Sequence, residues 1–204
     1  MADSPNLTGR LKRLKDQPGA PSPWTVRNMN RGLVRHWVGA SGSLSARLAG
    51  VGGLYSVKVL NQGLQKLRWD EARALGLPRG ASCRPGYVRE VLLCIAGVAV
   101  VFARSVTAHA PSLGPWRSVR GLGTRPLADV LFNRVGMART PMAFAKFKPA
   151  SVAHRHVARA WQLGTGTELA VRALPARRSV FMHQGAPLLV MEVFAGEAAP
   201  WFIS

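Results

Sequence analysis

The sequence predicts an α+β domain built on one antiparallel β-sheet of about six strands with short helices against it. Three observations carry this. Tyr87 to Thr107 reads YVREVLLCIAGVAVVFARSVT, two apolar runs rich in β-branched residues that meet at Ala96-Gly97, the pattern of a hairpin. Ala176 to Gln184 and Pro187 to Phe194 flank a tight turn at Gly185, which reads as a second hairpin. Helical spacing comes first along the chain, then sequential hairpins with a small helix between them.

The elements follow in order. Residues 1–22 are polar and basic and end in a Pro/Gly stretch, so they read as a mobile leader, with the domain over 23–204. Trp24 to Val38 places Val26, Met29, Leu33 and Trp37 three to four residues apart, which predicts a short amphipathic helix. Ser41 and Ser43 are caps for a second helix, Leu44 to Ala49, stopped by Gly50, Gly52 and Gly53. Leu54 to Gln62 alternates as a strand, with Tyr55, Val57 and Val59 on one face. A bend at Asn61-Gln62-Gly63 leads into a continuation over Leu64 to Arg68, and Trp69 to Leu77 is a helical candidate. Pro111 to Gly123 reads as a Gly/Pro-rich loop. Thr124 and Pro126 open a short helix over Leu127 to Phe132. Met142 to Phe147 is a short strand, and Lys148 to Ala160 is a polar, basic insertion, helix or loop. The apolar Trp201-Phe202-Ile203 is expected to dock on the body.

The bulk numbers narrow the class. A chain of 204 residues with 48% hydrophobic content suits one domain with a core. The longest apolar run, Leu92 to Phe102, falls far short of the ~20 residues of a spanning helix, and the N-terminus has no secretory apolar segment. A cytoplasmic protein with two reduced thiols, Cys83 and Cys94, is expected. Lys and Arg total 28 against 9 Asp and Glu, a net charge of +19 that favours anionic ligands. The basic residues are dispersed, with no basic block or zinc-finger spacing, so a specific nucleic-acid partner is not expected.

Two charged residues interrupt apolar strand faces. Arg89 shares a face with Tyr87, Val91 and Leu93, and Glu192 with Leu188, Val190 and Phe194. Each must reach solvent, be paired, or serve a ligand. The two either form an internal salt bridge or lie apart, with a small anionic molecule meeting the cation at one end and the acid at the other. Glu90 falls on the opposite face, where surface exposure is expected, and Arg104 is expected to snorkel or stack. Arg177 and Arg178 begin a strand and read as a solvated face or a rim guiding an anion. His154 and His156 stand at i,i+2 without an acidic or thiol cluster, which is no metal spacing. Ser151, Ser179 and His183 lack a nucleophile-elbow context, and Gly121-Leu122-Gly123 lacks the third glycine of a dinucleotide loop.

Three blocks together resemble the chorismate lyase family of ubiquinone biosynthesis: YVREVLLCIAG with FARSVT, LGTRPLADVLF, and ARRSVFMHQGAPLLVMEVF. The resemblance spans most of Trp24 to Phe194. It implies a single antiparallel sheet with helices to one side and an enclosed internal site under flap-like helices. The implied activity is conversion of chorismate to 4-hydroxybenzoate and pyruvate with no metal or organic cofactor, by a monomer without a membrane span. Carried over by motif, Arg89 grips the ring carboxylate, Leu127 offers a main-chain contact, Glu192 sits at the hydroxyl end, and Leu44 takes the place of a flap methionine. The chain departs from the family at Ala128, often glycine, at Ala99-Val100, often Pro-Trp, in the longer 148–174 stretch and in the basic leader. The competing readings are an effector-sensing domain of the same fold that binds an aromatic acid without turnover, and a basic nucleic-acid binder.

Overall fold

The computed structural model describes residues 22–78, 85–132, 136–169, 173–195 and 199. The basic leader (to residue 21), Cys83 and Trp201-Phe202-Ile203 lie outside the described residues. Helices α1 (Gly32–Gly39) and α2 (Leu44–Ala49) precede strand β1 (Tyr55–Lys66) and helix α3 (Trp69–Ala74). The central hairpin is β2 (Pro85–Ile95) and β3 (Val98–Ala108), followed by short helices α4 (His109–Leu113), α5 (Arg117–Arg120) and α6 (Ala128–Leu131). Strands β4 (Ala138–Arg139) and β5 (Ala143–Phe147), helix α7 (Val152–Thr165) and the hairpin β6 (Leu174–His183) and β7 (Ala186–Phe194) complete the chain.

All pairings are antiparallel, in the order β1-β2-β3-β7-β6-β4, with β5 also on β6. Both hairpin turns put their two central residues at positive φ: Ala96 at 48° and Gly97 at 80°, Gln184 at 49° and Gly185 at 72°. That is the turn whose twist matches paired strands. Between Leu93 and Cys94 the register shifts, because Leu93 faces Val101 and Cys94 faces Ala99. Val100 is the extra residue of a bulge. The bulge sets Arg89 opposite Ser105 and Glu90 opposite Arg104.

The sheet is covered on both faces, so the one-sided arrangement implied by the family resemblance does not hold. On one face α1 and α2 bury Trp37, Val38, Leu44 and Leu48 against Val57, Val91, Leu93 and Val101. Trp116 and Val119 close the same face beside Tyr87 and Leu188, and the Trp116 indole donates to the Ala186 carbonyl at 3.1 Å. The opposite face carries α7, whose Val157 and Trp161 pack on Leu92 and Phe102. There the helix comes so close that a Cβ on Gly164 would stand 2.5 Å from Leu60 and 2.8 Å from Leu92. Ser151 caps α7 by accepting from the His154 amide, and Gly166 ends it in the left-handed region.

Three expectations about local structure change. Trp24 to Arg31 does not join α1 in one continuous helix: Thr25 pairs through its backbone with Phe144, and Val26 and Met29 stay exposed. The 111–123 stretch is not a plain loop, because burial of Trp116 and Val119 folds it into α4 and α5. The two-residue β4 is an additional strand, held by pairing with β6 rather than by any apolar pattern of its own.

Candidate active site

A cavity of about 600 Å³, its mouth included, lies on the α1/α2 face of the sheet. Its floor is the sheet itself. In one row across the strands stand Arg89, Ser105, Val190 and Ser179; in the next stand Val91, Ala103, Glu192 and Arg177. Ala103 and Ser105, both on β3, leave a trough where larger side chains would fill the sheet surface. Two short segments roof it: Gly42 to Ser45 at the start of α2, and Pro126 to Ala128 at the start of α6. Leu44 and Leu127, the two apolar candidates, thus face the cavity from opposite lids. The α2 lid is anchored where the Tyr55 hydroxyl meets Ser45 Oγ at 2.9 Å.

Arg89 and Glu192 do not pair with each other. They lie two strands and one row apart, which at the usual strand spacing is about 12 Å between α-carbons. The Arg89 side chain is 2% exposed, and its Nη2 donates to the carbonyls of Gly123 (2.8 Å) and Arg125 (3.0 Å). Its buried Nε has no partner, and no carboxylate pairs with it among the described residues. Burial pushes the Arg89 pKa down, with only the Tyr87 and Tyr55 hydroxyls opposing. Arg89 is thus a desolvated cation with an orphan donor, and the residue lines the cavity. The loop that holds Arg89 runs directly into Leu127, so the cation and the α6 lid are one unit. In that turn the Asp129 amide donates to the Pro126 carbonyl and the Val130 and Leu131 amides to the Leu127 carbonyl.

Glu192 is held by Arg177, whose Nε donates to its Oε2 at 2.5 Å. Arg177 is 1% exposed and also donates through Nη1 to the carbonyls of Val38 (3.3 Å) and Ala40 (2.6 Å) at the end of α1. It is therefore neither a solvated face nor a rim. Arg178, on the other face, stacks on Trp24 and pairs with Asp70 at 3.2 Å. Glu192 itself lines the cavity. Register could have found the Arg177 pair: a two-residue turn at Gln184-Gly185 sets His183 opposite Ala186, and six residues further from the turn on each strand Arg177 stands opposite Glu192.

The reverse face corrects two more expectations. Glu90 is 4% exposed and Arg104 3% exposed, paired at 2.7 Å, and Arg104 also grips Glu71 through Nε (2.7 Å) and Nη2 (3.1 Å). Arg104 neither snorkels nor stacks, and Glu90 is not at the surface. His156 meets Glu90 Oε1 at 2.6 Å, which gives that imidazole a carboxylate partner supplied by α7 packing. Burial pushes the Glu71 carboxyl up, but Arg68 and Arg104 outweigh it and hold the pKa at about 2.

The family model for chorismate lyase matches residues 25–201. The chain is 65% identical over 178 residues to a probable chorismate pyruvate-lyase of Albidiferax ferrireducens, across 87% of this chain and 89% of that protein. The chain belongs to the chorismate lyase family. A probable chorismate pyruvate-lyase of Azoarcus sp. is 43% identical over 180 residues, across 87% of this chain and 92% of that one. Among solved structures, PhnF from Mycobacterium smegmatis superposes with a TM-score of 0.55 at 19% identity, over 78% of this chain and 65% of that one. The C-terminal domain of the histidine utilization repressor from Pseudomonas syringae gives 0.50 at 9% identity, over 72% and 94%. At these identities the likeness is one of fold. Among the described residues of this chorismate lyase family member, no helix is long and apolar enough to cross a membrane.

Proposed function

We propose that the cavity binds chorismate with its ring carboxylate on Arg89 and its hydroxyl-bearing carbon at Glu192. The chain is a chorismate lyase: it converts chorismate to 4-hydroxybenzoate and pyruvate, the aromatic product serving ubiquinone biosynthesis. The observation that carries the site assignment is Arg89, a buried cation with an orphan Nε and no acidic partner among the described residues, across the trough from a carboxylate already held by a second arginine.

The reaction breaks the bond between the ring carbon and the ether oxygen, and the electron pair leaves with the oxygen. The hydrogen on the neighbouring hydroxyl-bearing carbon departs as a proton, and its bonding pair completes the aromatic ring. The released enolpyruvate takes up a proton and becomes pyruvate. Aromatisation drives the reaction, so the protein's tasks are binding, orientation, exclusion of water and proton handling. Arg89 fixes the ring by a charge-assisted contact, its Nη2 being already committed to the loop carbonyls. A main-chain amide near Leu127 supplies a second contact to the same carboxylate, and Leu44 closes the apolar roof. Glu192, oriented by Arg177, accepts a hydrogen bond from the ring hydroxyl or the departing proton. A monomer in the cytoplasm is the accompanying reading, and the small charged substrate fits that location.

The test is to mix the purified protein with chorismate and follow pyruvate with a coupled dehydrogenase. Stoichiometric pyruvate and 4-hydroxybenzoate are expected. Tight binding of chorismate or 4-hydroxybenzoate with no pyruvate would instead make the chain a sensor of aromatic acids.

A further inference from the structure

Chorismate carries two carboxylates, and Arg89 accounts for one. Besides Arg89, two arginines line the cavity, Arg104 and Arg139. Arg104 is spent: its Nε, Nη1 and Nη2 all donate to Glu71 and Glu90. Arg177, beneath Glu192, is likewise committed to that carboxylate and two carbonyls. Arg139 differs from both. It reaches in from β4, lies over the Phe181 ring at 5.0 Å, and donates its Nε to Ser179 Oγ at 2.8 Å. No carboxylate pairs with it among the described residues, and neither of its Nη groups has a partner there. One tethered nitrogen and a ring beneath the plane fix the fork and leave its two outer nitrogens available.

Its place in the sheet matters as much as its freedom. Ser179 ends the row that begins at Arg89, three strands away, or about 14 Å at the usual spacing. The two cations therefore stand on opposite sides of the Ala103-Ser105 trough. Arg139 is also the cavity arginine close enough to feel the charges of both Arg177 and Glu192. Burial and Arg177 weigh against its positive charge, and Glu192 alone supports it. An anion bound there would relieve that imbalance. In chorismate the enolpyruvyl ether is borne by the ring carbon next to the hydroxyl-bearing one. With the ring carboxylate on Arg89, the side-chain carboxylate lies at the Glu192 end, which is where Arg139 stands.

We propose that Arg139 binds the enolpyruvyl carboxylate of chorismate, the group that departs as pyruvate. This rests on the chorismate lyase reading of the cavity. It makes Arg139 a residue that recognises substrate and transition state but not the aromatic product, since 4-hydroxybenzoate has lost that carboxylate. As the ether bond breaks, electron density moves onto the leaving fragment that Arg139 holds, so the contact strengthens along the reaction.

Steady-state turnover of chorismate and equilibrium binding of 4-hydroxybenzoate, measured on wild type, Arg139→Gln and Arg139→Lys, test this. Arg139→Gln is expected to lose about tenfold or more in kcat/KM, as for loss of a charge-assisted contact, while its affinity for 4-hydroxybenzoate stays within about twofold. Arg139→Lys, which keeps the charge without the fork, is expected to fall between. Unchanged kcat/KM in Arg139→Gln would overturn the assignment. So would a parallel loss of 4-hydroxybenzoate affinity, which marks a merely structural role. Wild-type protein that released no pyruvate would overturn the chorismate lyase reading together with this one; active wild type beside an active Arg139→Gln would overturn this one alone.

Discussion

Arg177 donates its Nε to Oε2 of Glu192 at 2.5 Å from the adjacent strand, and two further carbonyls, of Val38 and Ala40, hold the same guanidinium. The pair is lopsided. Arg177 ties together β6, β7 and the end of α1, where a cation also meets the negative end of the helix. Glu192 is held through that one carboxylate oxygen and lines the cavity. Arg177→Gln is therefore expected to cost about 3–5 kcal/mol of stability, the usual penalty for stranding one member of a buried pair. Glu192→Gln still accepts from Arg177 and is expected to cost far less stability while losing most turnover. Urea unfolding of both variants, beside pyruvate release, checks the asymmetry; equal destabilisation by the two would contradict it.

Arg89 should act on substrate and product alike, because both carry the ring carboxylate. Arg89→Gln is expected to lower kcat/KM for chorismate and affinity for 4-hydroxybenzoate together, by about 1.5–3 kcal/mol, or ten- to a hundredfold. Near-wild-type binding of 4-hydroxybenzoate by this variant would remove Arg89 from the site.

The trough exists because Ala103 and Ser105 are small. Ala103→Leu points a larger apolar side chain into open cavity rather than into packed core, so no overpacking cost arises. The expected outcome is a melting temperature at or above that of the wild type with 4-hydroxybenzoate binding abolished. A clear loss of stability would show that Ala103 packs instead of lining the cavity.

On the reverse face, Glu71 has its pKa lowered from 4.5 to about 2. A carboxyl whose folded pKa is depressed contributes stability above its unfolded pKa and loses that contribution as pH falls through the folded one. The window is therefore from about pH 4.5 down to about pH 2, and the contribution on the order of 3 kcal/mol. Stability measured by urea midpoint across this range should fall more steeply in the wild type than in Glu71→Gln, which has no carboxyl to titrate.

Much of the frame was legible because it depends on local pattern. The alternation of Tyr87, Arg89, Val91 and Leu93 assigned Arg89 to its face, the turns at Ala96-Gly97 and Gln184-Gly185 located both hairpins, and Ser43 marked the start of α2. What stayed hidden depends on register and on distant segments. Arg104 finds Glu90 only because Val100 is bulged, and it finds Glu71 only because α3 folds back over the strands. His156 reaches Glu90 from a helix whose stripe of Ala153, Val157, Ala160 and Gly164 is too small to stand out as apolar, yet is shaped for close approach to the sheet. Arg139 entered the cavity on a two-residue strand that no periodicity announces.

The bulge at Val100 also bears on how the chain assembles. A regular ladder from the Ala96-Gly97 turn would set Arg89 against Arg104, two guanidiniums side by side between buried strands. The observed ladder sets Arg104 against Glu90 and leaves Arg89 beside Ser105. The wrong register is thus penalised by repulsion at the centre of the sheet, and the right one is rewarded there. Charge at the centre of the sheet favours the bulged register, which keeps Arg104 with Glu90 on one face and leaves Arg89 on the other.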